Sequence, residues 1–201
     1  MSIFTFPNLV PSQAGFNVVS NSGLEFNENN GIEYVNNRPG ERFFIEMTFA
    51  ILKKEDALTL KGHLQQLMGG QNYSLIKDLG FTQRGNWSGT PRVNGALEYG
   101  LTLSADGMGG NQTVARVGDR FKLGDRVHEL VTDVTTNASG QATFTLANEI
   151  IDIPADDTLL LTDLNDLTFK CRWLNPEEIQ QFNGNKSYFR NIKLTFIEAL
   201  A

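Results

Sequence analysis

Apolar and polar residues alternate along many short segments of the chain, and Gly, Asn, Asp and Thr recur between these segments. Alternation with a period of two is typical of β-strands with one buried face, and the intervening residues favour turns. The clearest case is the segment 42–52. Its apolar face consists of Phe43, Ile45, Met47, Phe49 and Ile51. Residues 169–173 and 192–196 repeat the pattern, so the sequence predicts three strands of an antiparallel β-sheet.

One segment has helical spacing instead. Between residues 53 and 68, apolar side chains recur every three or four positions and form a single stripe, which predicts a helix. Gly69 and Gly70 follow it and supply the left-handed turn that commonly ends a helix. Because Gly62 weakens the helix interior, we expect the helix to pack closely against the sheet at that point. Asn175 followed by Pro176 predicts a short second helical turn with Asn175 as its cap.

The central part of the chain is richer in Gly, Asp and Thr and has shorter apolar runs. Residues 118–125 predict a strand between two tight turns. A further strand over 127–134, the turn 137–140 and the alternating residues 142–146 predict a hairpin. The glycine-rich segment 105–110 is interpreted as a mobile loop, because it lacks the lysine and Ser/Thr of a phosphate-binding loop.

We therefore expect a mainly β fold of two parts. Residues 1–88 and 165–201 form a discontinuous, split antiparallel β-sandwich that carries the helix 53–68. Residues 89–164 form an inserted small β-barrel or β-sandwich domain. The similar strands near the two ends of the chain are the basis for joining them into one domain.

Composition limits the classes of function. The chain has 201 residues, of which 40% are hydrophobic, so it can bury a core, and its net charge of −6 disfavours general binding to nucleic acid or anionic membranes. The N-terminus lacks the features of a signal peptide, and no apolar run reaches the length of a membrane helix. We expect a soluble protein made in the cytoplasm, without a membrane anchor.

Residues that carry chemistry are few. The single cysteine, Cys171, lies in an alternating segment and is interpreted as a buried apolar residue. His63 and His128 have no Cys or His neighbours at metal-ligand spacing.

The aspartates, including Asp119 and Asp125 on either side of a short predicted strand, are interpreted as turn residues. Ser88 has no candidate base nearby in sequence. We therefore assign no catalytic, cofactor-binding or metal-binding residue and predict that the protein is not an enzyme.

Aromatic residues are abundant, with 14 Phe. Such side chains are enriched in sheet packing and at subunit contacts. Phe4, Phe6 and Pro7 precede the strong elements, so this N-terminal arm packs either on its own chain or on a neighbour.

The segment 43–52, the helix 53–68 and the final segment 188–198 together resemble bacteriophage tail proteins of the distal tail and baseplate hub group. A second resemblance, to phage virion proteins, lies in Pro91–Gly95, Gly118–Gly124, Leu130–Val134 and Gly140–Phe144. In proteins of that kind we expect a proline and a basic residue after the last of these, whereas this chain has Ala147, Asn148 and Glu149.

The resemblance implies a β-sandwich with one helix that forms a homo-oligomeric ring, commonly hexameric, within the tail of the virion. DNA would pass through its lumen without sequence-specific contacts, which the net negative charge suits. The other partners implied are further tail proteins. No cofactor is implied.

Alternative functions remain open. The chain can be a tail adaptor or completion protein at another level of the tail. It can also be a carbohydrate-binding module, in which Trp87 and Trp173 would stack on a host glycan. A glycan hydrolase with two aspartates at a cleft is the third alternative.

Overall fold

The structure is a computed structural model, and it describes residues 1–20, 22–27, 32–36, 40–183 and 186–200. It is mainly β, with 47% strand and 12% helix, as the alternating pattern predicts. No helix among the described residues is long and apolar enough to cross a membrane.

The strands in chain order are β1 (Ile3–Thr5), β2 (Gln13–Val19), β3 (Gly23–Asn27), β4 (Ile32–Asn36), β5 (Arg42–Lys53), β6 (Tyr73–Lys77), β7 (Gly89–Val93), β8 (Gly100–Met108), β9 (Thr113–Ala115), β10 (Arg120–Leu123), β11 (Arg126–Glu129), β12 (Val134–Thr135), β13 (Ala142–Ile150), β14 (Thr168–Trp173) and β15 (Tyr188–Glu198). Helix α1 spans Lys54–Gln66, and 3₁₀ turns occupy Met68–Gly70 and Pro176–Phe182.

The largest sheet has six strands in the order β1-β6-β14-β15-β5-β2. All its pairs are antiparallel except β1 with β6, which run parallel. Its longest pair joins β5 to β15, with Ile45 opposite Phe196 and Phe49 opposite Ile192. These side chains are buried, so the three strands predicted from alternation are confirmed.

The prediction that Ile51 shares the buried face is wrong. It is 61% exposed and Leu52 is buried instead, because the regular pairing of β5 with β15 is interrupted at Asn191.

A first hydrophobic core lies between this sheet, helix α1 and the 3₁₀ turn Pro176–Phe182. The apolar stripe of α1 supplies Ala57, Leu60 and Leu64, which are buried. Gly69 and Gly70 have φ values of 65° and 91°, which confirms the predicted left-handed end.

The N-terminal arm packs on its own chain. Strand β1 pairs with β6, and the Phe6 ring contacts His63 and Phe196 edge-on at centroid distances of 5.3 and 5.9 Å. The alternative that this arm lies on a neighbour is therefore not the arrangement that the structure describes.

The expectation for Gly62 is wrong. A Cβ added at this residue would meet no atom within 4 Å, so the helix does not approach the sheet closely there. The expectation for Asn175 is also wrong in its detail, because its side chain does not cap the following turn. Instead, the Asn175 Oδ1 accepts hydrogen bonds from Trp173 Nε1 and from the backbone N–H of Thr195.

The open space at Gly62 gives a prediction. Gly62→Ala should raise the free energy of unfolding by about 0.5–1 kcal/mol, because alanine loses less conformational freedom in a helix. Gly70→Ala is the matched control: its Cβ would lie 2.8 Å from the Trp173 carbonyl oxygen at a φ of 91°, so this variant should be less stable. Urea unfolding of both variants measures the difference.

A second hydrophobic core lies within residues 87–160 and includes Trp87, Leu103, Phe121, Phe144 and Leu160. It is enclosed by the three-stranded sheet β13-β8-β7 and by the pairs β10-β11 and β12-β9. The division into domains at residues 88/89 and 164/165 stays a prediction, while the two cores are what the structure describes.

Two expectations for the central region are corrected. Residues 105–108 belong to strand β8, not to a mobile loop. The turn 137–140 forms, with the Asn137 Oδ1 accepting from the backbone N–H of Ser139 and Gln141.

The predicted hairpin is confirmed in part, because Leu130 pairs with Leu146 and the Val131 N–H donates to the Thr145 carbonyl oxygen across this turn. The regular strands nevertheless have other neighbours, β12 pairing with β9 and β13 with β8. The physical reason is that alternation defines which face is buried but not which strand is the neighbour.

Candidate functional site

The β10-β11 hairpin joins the two cores. It belongs to the central region by sequence, and Phe121 packs in the second core against Trp87 and Phe144. On the opposite strand, however, Val127 is part of the first core. Both faces of this hairpin are therefore buried, and it fixes the position of the central region on the six-stranded sheet.

Arg120 is the first anchor of this hairpin. Its guanidinium donates to Asp78 Oδ2 and Glu129 Oε2, both at 2.8 Å, and its side chain is 9% exposed. It lies 4.5–5.9 Å from the ring centroids of Phe16, Phe43, Phe81 and Phe169. The cost of removing this cation from water is offset because two carboxylates neutralise it and aromatic faces attract it.

Arg126 is the second anchor. Its Nε and Nη2 donate to Glu198 Oε1 and Oε2 at 3.2 and 3.1 Å, in a bidentate pair between β11 and β15. The same guanidinium donates to the backbone carbonyls of Glu41 and Glu149. Glu198 Oε2 also accepts from the backbone N–H of Phe43. The side chains of the pair are 8% and 3% exposed, so solvent does not screen it.

The turn before β10 depends on one carboxylate. Asp119 is fully buried, and its side chain accepts from the backbone N–H groups of Arg84, Gly85 and Arg116 at 2.6–2.8 Å. A Cβ at Gly85 would lie 2.3 Å from the Val114 carbonyl oxygen, so only glycine fits there. This confirms the interpretation of Asp119 as a turn residue whose side chain bonds nearby amides.

Both histidine rings form hydrogen bonds to other groups of the folded chain. His63 Nε2 lies 2.9 Å from Ser74 Oγ, and His128 Nδ1 lies 3.2 Å from the carbonyl oxygen of Asn148. Burial lowers the pKa of His63 to about 4. Burial, and then the charge of Arg126, lower the pKa of His128 to about 4. Each ring is therefore neutral at pH 7 in the folded protein.

These two shifts predict loss of stability in acid. Below pH 6.5 the unfolded chain binds protons at both histidines, whereas the folded chain binds them only near pH 4. Stability contributed by the neutral rings is present above pH 6.5 and is lost as the pH falls to about 4, by roughly 1–3 kcal/mol per histidine.

The measurement is urea unfolding at a series of pH values between 7 and 4. The double variant His63→Gln/His128→Gln is the control, since it lacks both titrating rings. A wild-type curve no steeper than that of the double variant would contradict the assignment of the acid sensitivity to these histidines.

Cys171 is completely buried in the first core, as predicted. Burial raises the pKa of its thiol, and the nearby Glu198 carboxylate acts in the same direction. Since the thiolate is the nucleophilic form, this geometry suits a packing residue rather than a reactive one.

The two tryptophans are buried as well. Trp87 is 8% exposed and Trp173 is 4% exposed. A tryptophan that stacks on a sugar ring needs an open face, so their burial counts against the carbohydrate-binding alternative.

One groove has a volume of about 680 Å³. It lies between residues 5–16 and the loop after β6, and its walls include Phe6, Phe16 and Phe81. Its two charged wall residues are engaged, because Asp78 pairs with Arg120 and Lys77 donates to Asn165 Oδ1. Within the described residues, no group of three or more His, Cys, Asp or Glu side chains is placed to hold a metal ion.

The sequence predicts that Asp119 is a turn residue and that Cys171 is buried, but it does not single out Arg120 and Arg126. Comparison of the chain with protein-family models and with curated proteins finds no match.

Proposed function

We propose that this chain is a structural subunit of a bacteriophage tail. In this proposal it is a ring-forming distal tail or baseplate component that links the tail tube to host-recognition parts. Its partners are further copies of the chain, in a ring that is commonly hexameric in the group it resembles, and other tail proteins.

The observation that carries the proposal is the order of elements around helix α1. Strand β5 leads directly into α1. After β6 the chain leaves the six-stranded sheet to form the central region, and it returns to the same sheet at β14. In the distal tail group that the sequence resembles, a β-sandwich with one helix forms the ring and often carries an inserted β-domain. The arrangement of this chain supports membership of that group.

The anchors at Arg120 and Arg126 support the role of a rigid structural subunit. Buried ion pairs cost desolvation and give little net stability, but they define geometry. A subunit that holds other parts of a particle in register needs its two halves in one fixed orientation. In this proposal, residues 1–88 with 165–201 are the ring-forming domain, and residues 89–164 are the inserted domain that it carries.

Electron microscopy tests the proposal. Negative staining of the pure protein at high concentration should show rings, and antibody-gold labelling should mark one level of tailed particles from cells that carry the gene. Label at the tail tip supports a distal tail or baseplate component, whereas label at another level supports the adaptor or completion alternative. A protein that stays monomeric and is missing from the particles would contradict both.

A further inference from the structure

Two exposed surfaces of opposite charge lie at different places on the chain. We propose that the first surface of one copy docks on the second surface of another copy, in a head-to-tail contact. This inference names the partner surfaces of the proposed ring and in that respect rests on the proposed function.

The first surface, called here the acidic surface, surrounds the end of β13. Gly100 of β8 pairs with Ile150, so Tyr99 and Ile151 come next to each other in the extended register. They are 71% and 45% exposed, and Leu97, Leu101 and Ile153, each two residues along the chain from one of them, are exposed as well.

The charge of this surface is negative on balance. Segments 94–104 and 147–158 contain Glu98, Glu149, Asp152, Asp156 and Asp157, and they contain no lysine or arginine. Two arginines reach these segments from elsewhere: Arg92 donates to the Asp157 carbonyl oxygen, and Arg126, which is paired with Glu198, donates to the Glu149 carbonyl oxygen. The carboxylates therefore outnumber the guanidinium groups at this surface. An apolar area with acidic surroundings fits a partner that is apolar and basic.

Leu97 adds an independent observation. Its φ is 67°, in the left-handed region that costs a branched residue about 1–2 kcal/mol, and it is 70% exposed. The described contacts give this leucine little burial to offset that cost. A contact with another molecule explains why an apolar side chain is presented from a strained position.

The second surface, called here the basic surface, lies where β5 ends and β15 begins. Ile51 is directly opposite Arg190, and Lys53 is directly opposite Tyr188. Ile51 and Tyr188 are 61% and 56% exposed. This surface is therefore an apolar area with basic surroundings, the chemistry that the acidic surface requires.

Its surroundings contain an excess of cations. Segments 47–54 and 186–193 contain no acidic residue, while Lys186 and Lys193 add exposed positive charge. Glu55 and Asp56 follow in the first turn of α1 but are outnumbered by the basic residues.

The two surfaces of one chain cannot meet. Arg126 donates to the carbonyl oxygens of both Glu149 and Glu41, so the acidic surface lies near Glu41, next to the start of β5. The basic surface lies at the far end of that strand. A strand of this length spans roughly 35 Å. The contact must therefore form between copies, and because the two surfaces differ, it generates a closed ring or an open filament.

Charge reversal tests this contact in the full-length chain. Asp152→Lys makes the first surface less acidic, and Arg190→Glu makes the second less basic. Each variant alone should associate at least about tenfold more weakly than the wild type in sedimentation experiments. An equal mixture of the two should recover association, since the altered acidic surface of one matches the altered basic surface of the other. Raised salt should weaken association of the wild type.

Apolar substitutions provide a second test with matched controls. Tyr99→Ser and Ile51→Ser should each weaken association, whereas Val131→Ser, at a residue that is 44% exposed outside both surfaces, should not. Leu97→Asn should raise the Tm and weaken association, because asparagine tolerates a left-handed backbone but removes the apolar contact. A merely structural role for Leu97 would change only the Tm.

Several results would overturn the inference. These are a wild-type chain that stays monomeric up to millimolar concentration, unchanged association of the charge variants, or a mixture that does not recover. The outcome is separate from that of the proposed function. Gold label on tails without recovery in the mixture refutes only the docking surfaces, and recovery without label refutes only the tail assignment.

Discussion

Arg126→Met should lower the free energy of unfolding by about 3–5 kcal/mol, because it leaves the Glu198 carboxylate buried without its cation. The side chains of the pair are 8% and 3% exposed, so water cannot replace the lost partner without opening the junction. The carbonyls of Glu41 and Glu149 would also lose their donor. Urea unfolding, followed by tryptophan fluorescence and circular dichroism, measures the change.

The double variant Arg126→Met/Glu198→Gln separates the charge from the packing. Glutamine keeps an acceptor for the backbone N–H of Phe43, which Glu198 Oε2 accepts in the wild type. Since no unpaired charge remains buried, the double variant should recover most of the stability lost by Arg126→Met. A double variant as unstable as the single one would show that the carbonyl contacts, and not the ion pair, dominate.

Arg120→Met should be comparably destabilising, again by about 3–5 kcal/mol, since two carboxylates lose one shared cation. Asp78 and Glu129 are 17% and 26% exposed, so partial hydration keeps the loss within this range. The methionine would retain contact with the surrounding aromatic rings but not their attraction for a cation.

Arg116→Met is the matched control for Arg120→Met. Its ion pair with Asp133 has a longer distance, 3.5 Å, and both side chains are about half exposed, at 49% and 48%. Exposed pairs contribute about 0–1 kcal/mol, so this variant should unfold close to the wild type. Equal effects of the two substitutions would contradict the assignment of Arg120 as an anchor.

The strands and the helix were predictable because their signals are local. Strand β5 and helix α1 each bury one face, so the spacing of apolar residues is 2 in one and 3–4 in the other. The pairing of β13 with β8 was not predictable, because many segments of equal alternation can be neighbours in a sheet. The prediction of a mobile loop over residues 105–110 was wrong at Gly107 because glycine also occurs in strands where another backbone approaches closely. Gly107 lies in a strand at a φ of 74°, where the Thr90 carbonyl oxygen would be 2.3 Å from a Cβ.

The anchors at the junction were not predictable from the same signals. In β10, Arg120 alternates with Phe121, and a charged residue on the face opposite a core is ordinarily solvated. Here that face meets the first core, because the hairpin lies between two cores. Charge along the sequence does not reveal such a place, since it depends on which elements pack together. The acidic and basic surfaces were not predictable for the same reason, because their residues come from distant segments that only the fold brings together.

The pairing of β5 with β15 also constrains the order of folding. Strand β15 lies between β14 and β5 in the six-stranded sheet, yet it is synthesised after every other described strand of that sheet. The second core needs only residues from the middle of the chain and can form earlier. Until β15 arrives, β5 presents an unpaired apolar edge to other nascent chains. We therefore expect chains that terminate before residue 188 to aggregate, or to recruit chaperones, while their central region is already folded.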